Sequence, residues 1–141
     1  VMYFIVMPEE AKDWPVPQML VHTLIENEYK YAVSRDRQLM VLIRLQIIMR
    51  EGEKMLLLEI EDDGKGYPKD VIASINSGKG DSEDGSRIGI RSIYRLLQLL
   101  YDRENLFMID NVIPHGALSR VYIPAKAVNE RKMKEKGEMV I

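Results

Sequence analysis

The sequence predicts an α+β fold: a two-layer sandwich in which a mixed β-sheet carries helices on one face. Two periodicities predict it. Apolar residues occupy every odd position from Leu39 to Met49, and further on Leu56, Leu58 and Ile60 stand at alternate positions, with Glu59 and Glu61 on the other face. That is the period of strands with one buried face. Around Leu20, Val21, Leu24 and Ile25, and again at Ile90, Ile93, Leu96, Leu97 and Leu100, apolar residues recur at helical spacing instead. The two kinds of segment do not alternate strictly, as a parallel α/β sheet would require, so a mixed sheet with helices gathered to one side fits best.

Each element has a local justification. Residues 1–7 are β-branched and aromatic, which reads as a strand. Residues 8–17 hold Pro8, Pro15 and Pro17 and read as a connector, with Pro17 suited to the first turn of a helix that runs to about residue 32. Glu51-Gly52 marks a hairpin turn between the strands at 39–49 and 55–62. Residues 69–75 form a short helix. Residues 77–87 contain Gly78, Gly80 and Gly85 but no large apolar side chain, so they form a mobile loop before the second long helix. Strands at 106–109 and 118–123 are joined through Pro114-His115-Gly116. From residue 125 the chain is highly charged until its last three residues, giving one domain over 1–124 and a frayed tail or linker over 125–141.

Composition narrows the function. A chain of 141 residues, 46% hydrophobic and 30% charged, is long enough to bury the core of one globular domain. A net charge of −2 argues against non-specific nucleic-acid binding, which needs a basic excess. With no cysteine, neither a disulfide framework nor a thiolate metal site is possible. No apolar run approaches the roughly 20 residues that span a bilayer. The apolar start is short, lacks a basic flank and is no signal peptide. A first residue of Val rather than Met suggests a piece of a longer protein.

Three stretches carry candidate chemistry. Along residues 55–62 the side chains of Leu56, Leu58, Ile60 and Asp62 share one face of a strand, while Glu59, Glu61 and Asp63 take the other, expected to be solvated. Asp62 therefore extends an apolar row and needs donors, because an unpaired buried carboxylate is costly. Gly64 and Gly66 follow it, and glycines there allow close backbone approach of a planar ligand; a plain turn is the alternative. The stretch lacks the alternating oxygen ligands of a calcium loop. On the first helix, Asn27, Lys30 and Tyr31 stand at i, i+3 and i+4 and share a face, expected to lie away from Leu20, Val21, Leu24 and Ile25. An amide oxygen there suits Mg²⁺; taken alone, the same pattern reads as a solvated face. Finally, Gly89 opens the second long helix after a glycine-bearing loop, and such helix starts favour anions.

Together these stretches resemble the catalytic ATP-binding domain of sensor histidine kinases, in the GHKL superfamily with its Bergerat fold, and within it the LytS/YesM-like branch. "VPQMLVHTLIENEYKYA" is similar to the family's N box, "IEDDGKGYP" to its D-x-G-x-G box, "GSRIGIRSIYRLLQLLY" to its second glycine box, and "HGALSRVYIP" to its closing strand. The likeness covers roughly residues 1–124, in the family's order. It implies that Asp62 accepts a hydrogen bond from the adenine amino group, that Gly64 and Gly66 admit the base, and that Tyr67 walls its pocket. Asn27 would ligate Mg²⁺, and Lys30, with Tyr31 beside it, would contact the nucleotide. Glu26 would act as base toward, or polarise, an acceptor histidine. Gly89 with Ile88 and Ile90 would meet the phosphates, residues 77–87 would be the lid, and Arg87 would either supply charge to the phosphates or restrict that lid.

The implied protein is a membrane sensor with this domain in the cytoplasm, homodimeric through an upstream histidine-bearing dimerisation domain and passing phosphate to the receiver domain of a response regulator. His22 and His115, the only histidines, stand in no acceptor motif. Two positions depart from the family pattern: Arg87 replaces a glycine of the second box, and Gly116-Ala117 lacks the hydroxyl that usually supports the adenine-binding aspartate. A nucleotide-binding module without phosphotransfer, and an ATPase of the same superfamily, are the alternatives.

Overall fold

The computed structural model describes residues 2–31, 38–77, 88–128 and 138–140. Its centre is a hairpin of β3 (Met40–Arg50) and β4 (Glu53–Asp62). The connecting Glu51 and Gly52 have φ of 52° and 80°, the left-handed pair whose twist matches the flanking strands. That turn sets the register from Arg50 opposite Glu53 to Val41 opposite Asp62. β6 (Ala117–Pro124) pairs antiparallel with β4, and β5 (Phe107–Asn111) lies beyond it. At the other edge β1 (Met2–Val6) runs parallel to β3, so the order is β1-β3-β4-β6-β5 and the sheet is mixed, as predicted.

The predicted alternation holds on the inner face. Val41, Ile43 and Leu45 face the same layer as Leu56, Leu58 and Ile60, with Val121, Ile123, Phe107 and Ile109 continuing it, all buried. Helices α1 (Gln18–Tyr31) and α3 (Ile88–Tyr101) contribute Leu20, Leu24, Ile90, Ile93, Leu97 and Leu100 to this one core, and α2 (Lys69–Asn76) adds Ile75. Each such side chain removed from water contributes about 1.5–3 kcal/mol. α2 also closes the free edge of β5: the Asn76 amide donates to the Ile109 carbonyl at 2.8 Å and accepts from the Ile109 N–H at 3.0 Å. A side chain there replaces a neighbouring strand.

The outer face is less solvated than its sequence suggests. Glu59 is only 8% exposed. Arg44 and Arg120 stand directly opposite it on the flanking strands, with Nε to carboxylate distances of 3.5 and 3.0 Å. Arginine stems lying along the sheet cover the carboxylate. Arg44 also reaches Glu61 at 3.2 Å.

The prolines and the chain end also behave differently from expectation. Residues 8–17 include a 3₁₀ turn (Glu9–Ala11) and a short strand, β2 (Pro15–Pro17), so Pro17 ends a strand instead of entering the helix. β2 pairs antiparallel with β7 (Glu138–Val140), which makes those last residues part of a two-stranded sheet and not a frayed tail. Trp14 ties the connector to the core by donating from Nε1 to the Ile123 carbonyl at 3.1 Å. Among the described residues, no helix is long and apolar enough to cross a membrane.

Candidate functional site

Asp62 ends β4 on the inner face and is 4% exposed, where the alternation puts it. Its Oδ1 accepts the Gly64 N–H at 2.8 Å and the Ala117 N–H at 3.2 Å. Those backbone donors offset part of the cost of burying the carboxyl group. Ala117 supplies its main chain alone, having no hydroxyl. The neighbouring Asp63 serves the scaffold: its Oδ1 accepts the Met40 N–H at 2.9 Å and its own N–H reaches the Met40 carbonyl at 3.3 Å. The two adjacent carboxylates thus point to different tasks.

The glycines after Asp62 are fixed by contact as well as by conformation. Gly66 has φ of 83°, and a Cβ there would stand 2.6 Å from Asn111 Oδ1 and 3.0 Å from the Gly116 carbonyl oxygen. Asn111 clasps the next residue, accepting the Tyr67 N–H at 2.6 Å and donating to the Tyr67 carbonyl at 2.9 Å. The Tyr67 ring is buried, with its hydroxyl 2.6 Å from Ser119 Oγ on β6. His115 braces the same turn: its Nδ1 lies 2.8 Å from the Asp63 carbonyl oxygen, which can only accept, so the ring nitrogen donates. Neither Asn111 nor Ser119 was predicted. Ser119 has a weak signal, a hydroxyl at an inward position of β6, but nothing local marks Asn111.

The predicted face of α1 is corrected by the packing. Asn27 does not lie away from Leu20 and Leu24; it is buried beside them at 5% exposure. Since 27 − 20 = 7 residues is about two helical turns, Asn27 returns to the azimuth of Leu20. Its Oδ1 is buried and has no hydrogen-bond partner among the described residues. That oxygen faces the first turn of α3, where a Cβ on Gly89 would be 3.7 Å away. Lys30 points outward instead, with Nζ 3.0 Å from Glu26 Oε1, and His22 stands 4.0 Å from the same carboxylate. The hydrogen bond from Lys30 and then its charge hold Glu26 below the usual carboxylate range. Ile90 is fully buried in the core, so only its main chain is available to a ligand. Gly64 and Gly89 lie where the sequence puts them. Arg87 and residues 78–86 of the expected lid lie outside the described residues, as do the side chains of Tyr31 and Ile88.

A residue missed from the sequence completes the arrangement. Glu28 is 3% exposed. Burial first, and then the Asp62 carboxyl, push the Glu28 carboxyl up to about 9. Its Oε2 is buried without a partner among the described residues. The signal was present: Leu20, Leu24 and Glu28 stand at i, i+4 and i+8, so a helix burying the first two buries the third. One turn of α1 therefore carries both Asn27, facing the start of α3, and Glu28, whose carboxyl senses Asp62, each with an oxygen unpartnered among the described residues.

Comparison with known proteins agrees with the fold. No family model matches the chain. It is 23% identical over 109 residues to the sensor protein LytS of Enterococcus faecalis, covering 77% of this chain. The chain spans only 18% of that relative's length. Among solved structures, a mycobacterial sensor histidine kinase, MprB, superposes with a TM-score of 0.59 at 16% identity, covering 90% of this chain and 83% of that one. The catalytic domain of the histidine kinase ThkA gives a TM-score of 0.59 at 10% identity, covering 88% and 78%. The chain thus has the α+β fold of histidine kinase catalytic domains, and over 109 residues its sequence is similar to that of a LytS sensor.

Proposed function

We propose that this domain binds Mg·ATP at the Asp62 end of the sheet and presents the γ-phosphate to a histidine on another domain of the same protein. The observation that carries the reading is the meeting of the buried Asn27 Oδ1 with the Gly89 end of α3. A buried amide oxygen without a donor is costly, and a cation satisfies it. Among the described residues no three His, Cys, Asp or Glu side chains gather to hold a metal. An ion at Asn27 would then take its other ligands from phosphate and water, as Mg²⁺ commonly does. Bound there, Mg²⁺ neutralises phosphate charge during transfer.

The chain's own residues supply binding and orientation. Asp62 accepts from the adenine amino group. The Gly64–Gly66 backbone lets the base approach. The N–H groups at the start of α3 and the Lys30 ammonium hold phosphate oxygens. Glu26, half exposed and one residue before Asn27, is placed to accept the proton of an incoming histidine. Catalysis of this kind is positioning plus charge neutralisation. The acceptor lies on an upstream histidine-bearing dimerisation domain, the whole protein acting as a membrane-anchored homodimer that phosphorylates a response regulator's receiver domain. A second reading, nucleotide binding without transfer, is favoured by the two departures from the family pattern, Arg87 and the absence of a hydroxyl at Ala117.

Labelled ATP separates the readings. The isolated chain should bind Mg·ATP yet incorporate no phosphate, while a longer protein carrying the dimerisation helices should form an acid-labile phosphohistidine outside residues 1–141. Label on His22 or His115 of the isolated chain, or none in the longer protein, contradicts the proposal.

A further inference from the structure

We propose that Ser119 is a positioning residue for the nucleotide base, acting through the Tyr67 ring. The inference rests on the nucleotide reading above and deepens it at the base end of the site. Inward side chains stand in rows across neighbouring strands. Asn111 pairs with Ala117, whose N–H holds the Asp62 carboxyl at 3.2 Å, and these three make the outermost row. Ile109, Ser119 and Ile60 are paired in the next row, about 7 Å further in. Tyr67 spans both rows. Asn111 of the first holds its main chain at 2.6 and 2.9 Å, and its hydroxyl stands 2.6 Å from Ser119 Oγ of the second. The ring therefore runs inward past Ala117 and closes the inner side of the space beside the Asp62 carboxyl. Ala117 brings no hydroxyl to the site; the hydroxyl on this face of β6 is two residues on, at Ser119. Ser119 is 3% exposed between Ile60 and Ile109, an apolar setting where a hydroxyl without a partner is costly. A ring tied at its main chain and at its hydroxyl cannot tilt without breaking a bond. A base lying against it meets a surface already in place, which lowers the ordering cost of binding.

The test is calorimetry with ADP on this chain, comparing wild type, Tyr67→Phe, Ser119→Ala, the double variant and Ser119→Thr, with a thermal melt of each. Tyr67→Phe and Ser119→Ala each remove one oxygen of the same bond, and each should weaken ADP about three- to tenfold. The double variant should lose no more than either single one, because the bond is lost only once. Ser119→Thr keeps the hydroxyl and should stay within about twofold of wild type. A hydroxyl pair that only stabilises the fold lowers the melting temperature of Tyr67→Phe and Ser119→Ala but leaves ADP affinity within about twofold, and that result overturns the proposal. Additive losses in the double variant overturn it too, as does a loss in Ser119→Thr equal to that in Ser119→Ala. If Ser119→Ala does not fold, Tyr67→Phe removes the same bond from the other side and decides by itself. A wild type that binds no ADP removes the nucleotide reading itself, and the positioning role with it.

Discussion

The backbone N–H of Ala117 donates to Oδ1 of Asp62 at 3.2 Å, joining the first residue of β6 to the last residue of β4. With the Gly64 N–H on the same oxygen, the carboxyl is held from two directions before any ligand arrives. A group fixed in this way does not have to be ordered on binding, which reduces the entropic cost of recognition.

Asp62→Asn should weaken adenine nucleotide binding by about tenfold or more, and Asp63→Asn by less than about threefold. An amide at position 62 sets a donor where acceptors are needed, whereas Asp63 is engaged with the Met40 backbone and faces away. Calorimetry on the two variants decides the matter; equal losses contradict the assignment.

Gly116→Ala should be far more destabilising than Gly52→Ala. Gly116 has φ of 132°, and a Cβ there would overlap the Asp62 carbonyl oxygen, which is main chain and cannot swing aside. Gly52, at φ of 80°, has nothing within 4 Å of the added atom, so its substitution costs only the left-handed penalty, about 1–2 kcal/mol. Thermal denaturation should show a modest shift for Gly52→Ala and a loss of the folded state or a much larger shift for Gly116→Ala.

Removing the Asn111 side chain should loosen the glycine turn. Asn111→Ala deletes two hydrogen bonds to the Tyr67 backbone, each contributing about 1 kcal/mol, and exposes the Tyr67 amide to exchange. Native-state hydrogen exchange at Tyr67 should accelerate well before the core strands respond. Unaltered protection there would show that the turn is held by other contacts.

Glu28 makes stability fall as pH rises. Its carboxyl is raised from 4.5 to about 9 in the folded protein, so between those values the native state binds a proton that the unfolded chain releases. Stability from this group is therefore complete below about pH 4.5 and is lost progressively toward pH 9, amounting to a few kcal/mol at most. Urea unfolding at pH 5, 7 and 9 should show that decline in the wild type and a flatter profile in Glu28→Gln. Parallel profiles would contradict it.

The legible parts of this protein were those governed by short-range periodicity. A period of two along residues 55–62 assigns Asp62 to the apolar face, because neighbouring side chains on a strand must point in opposite directions. Helical spacing locates α1 and α3, and the Glu51-Gly52 pair locates the hairpin. Even Glu28, and the burial of Asn27, follow from carrying the spacing of Leu20 and Leu24 one or two turns further; the amphipathic face was drawn too narrowly.

Other features had no local trace. Asn111 grips Tyr67 across 44 residues of sequence because β5 happens to lie at the sheet edge beside the glycine turn. Asn27 meets Gly89 because two helices with unremarkable apolar stripes pack side by side over the same sheet. β7 pairs with β2 through main-chain groups, so a charged, proline-flanked composition neither required nor forbade it. Periodicity fixes which way a side chain faces relative to its own element. Which elements become neighbours, and therefore which oxygen is left without a donor, depends on strand order and helix packing, where contacts distant in sequence compete for the same space.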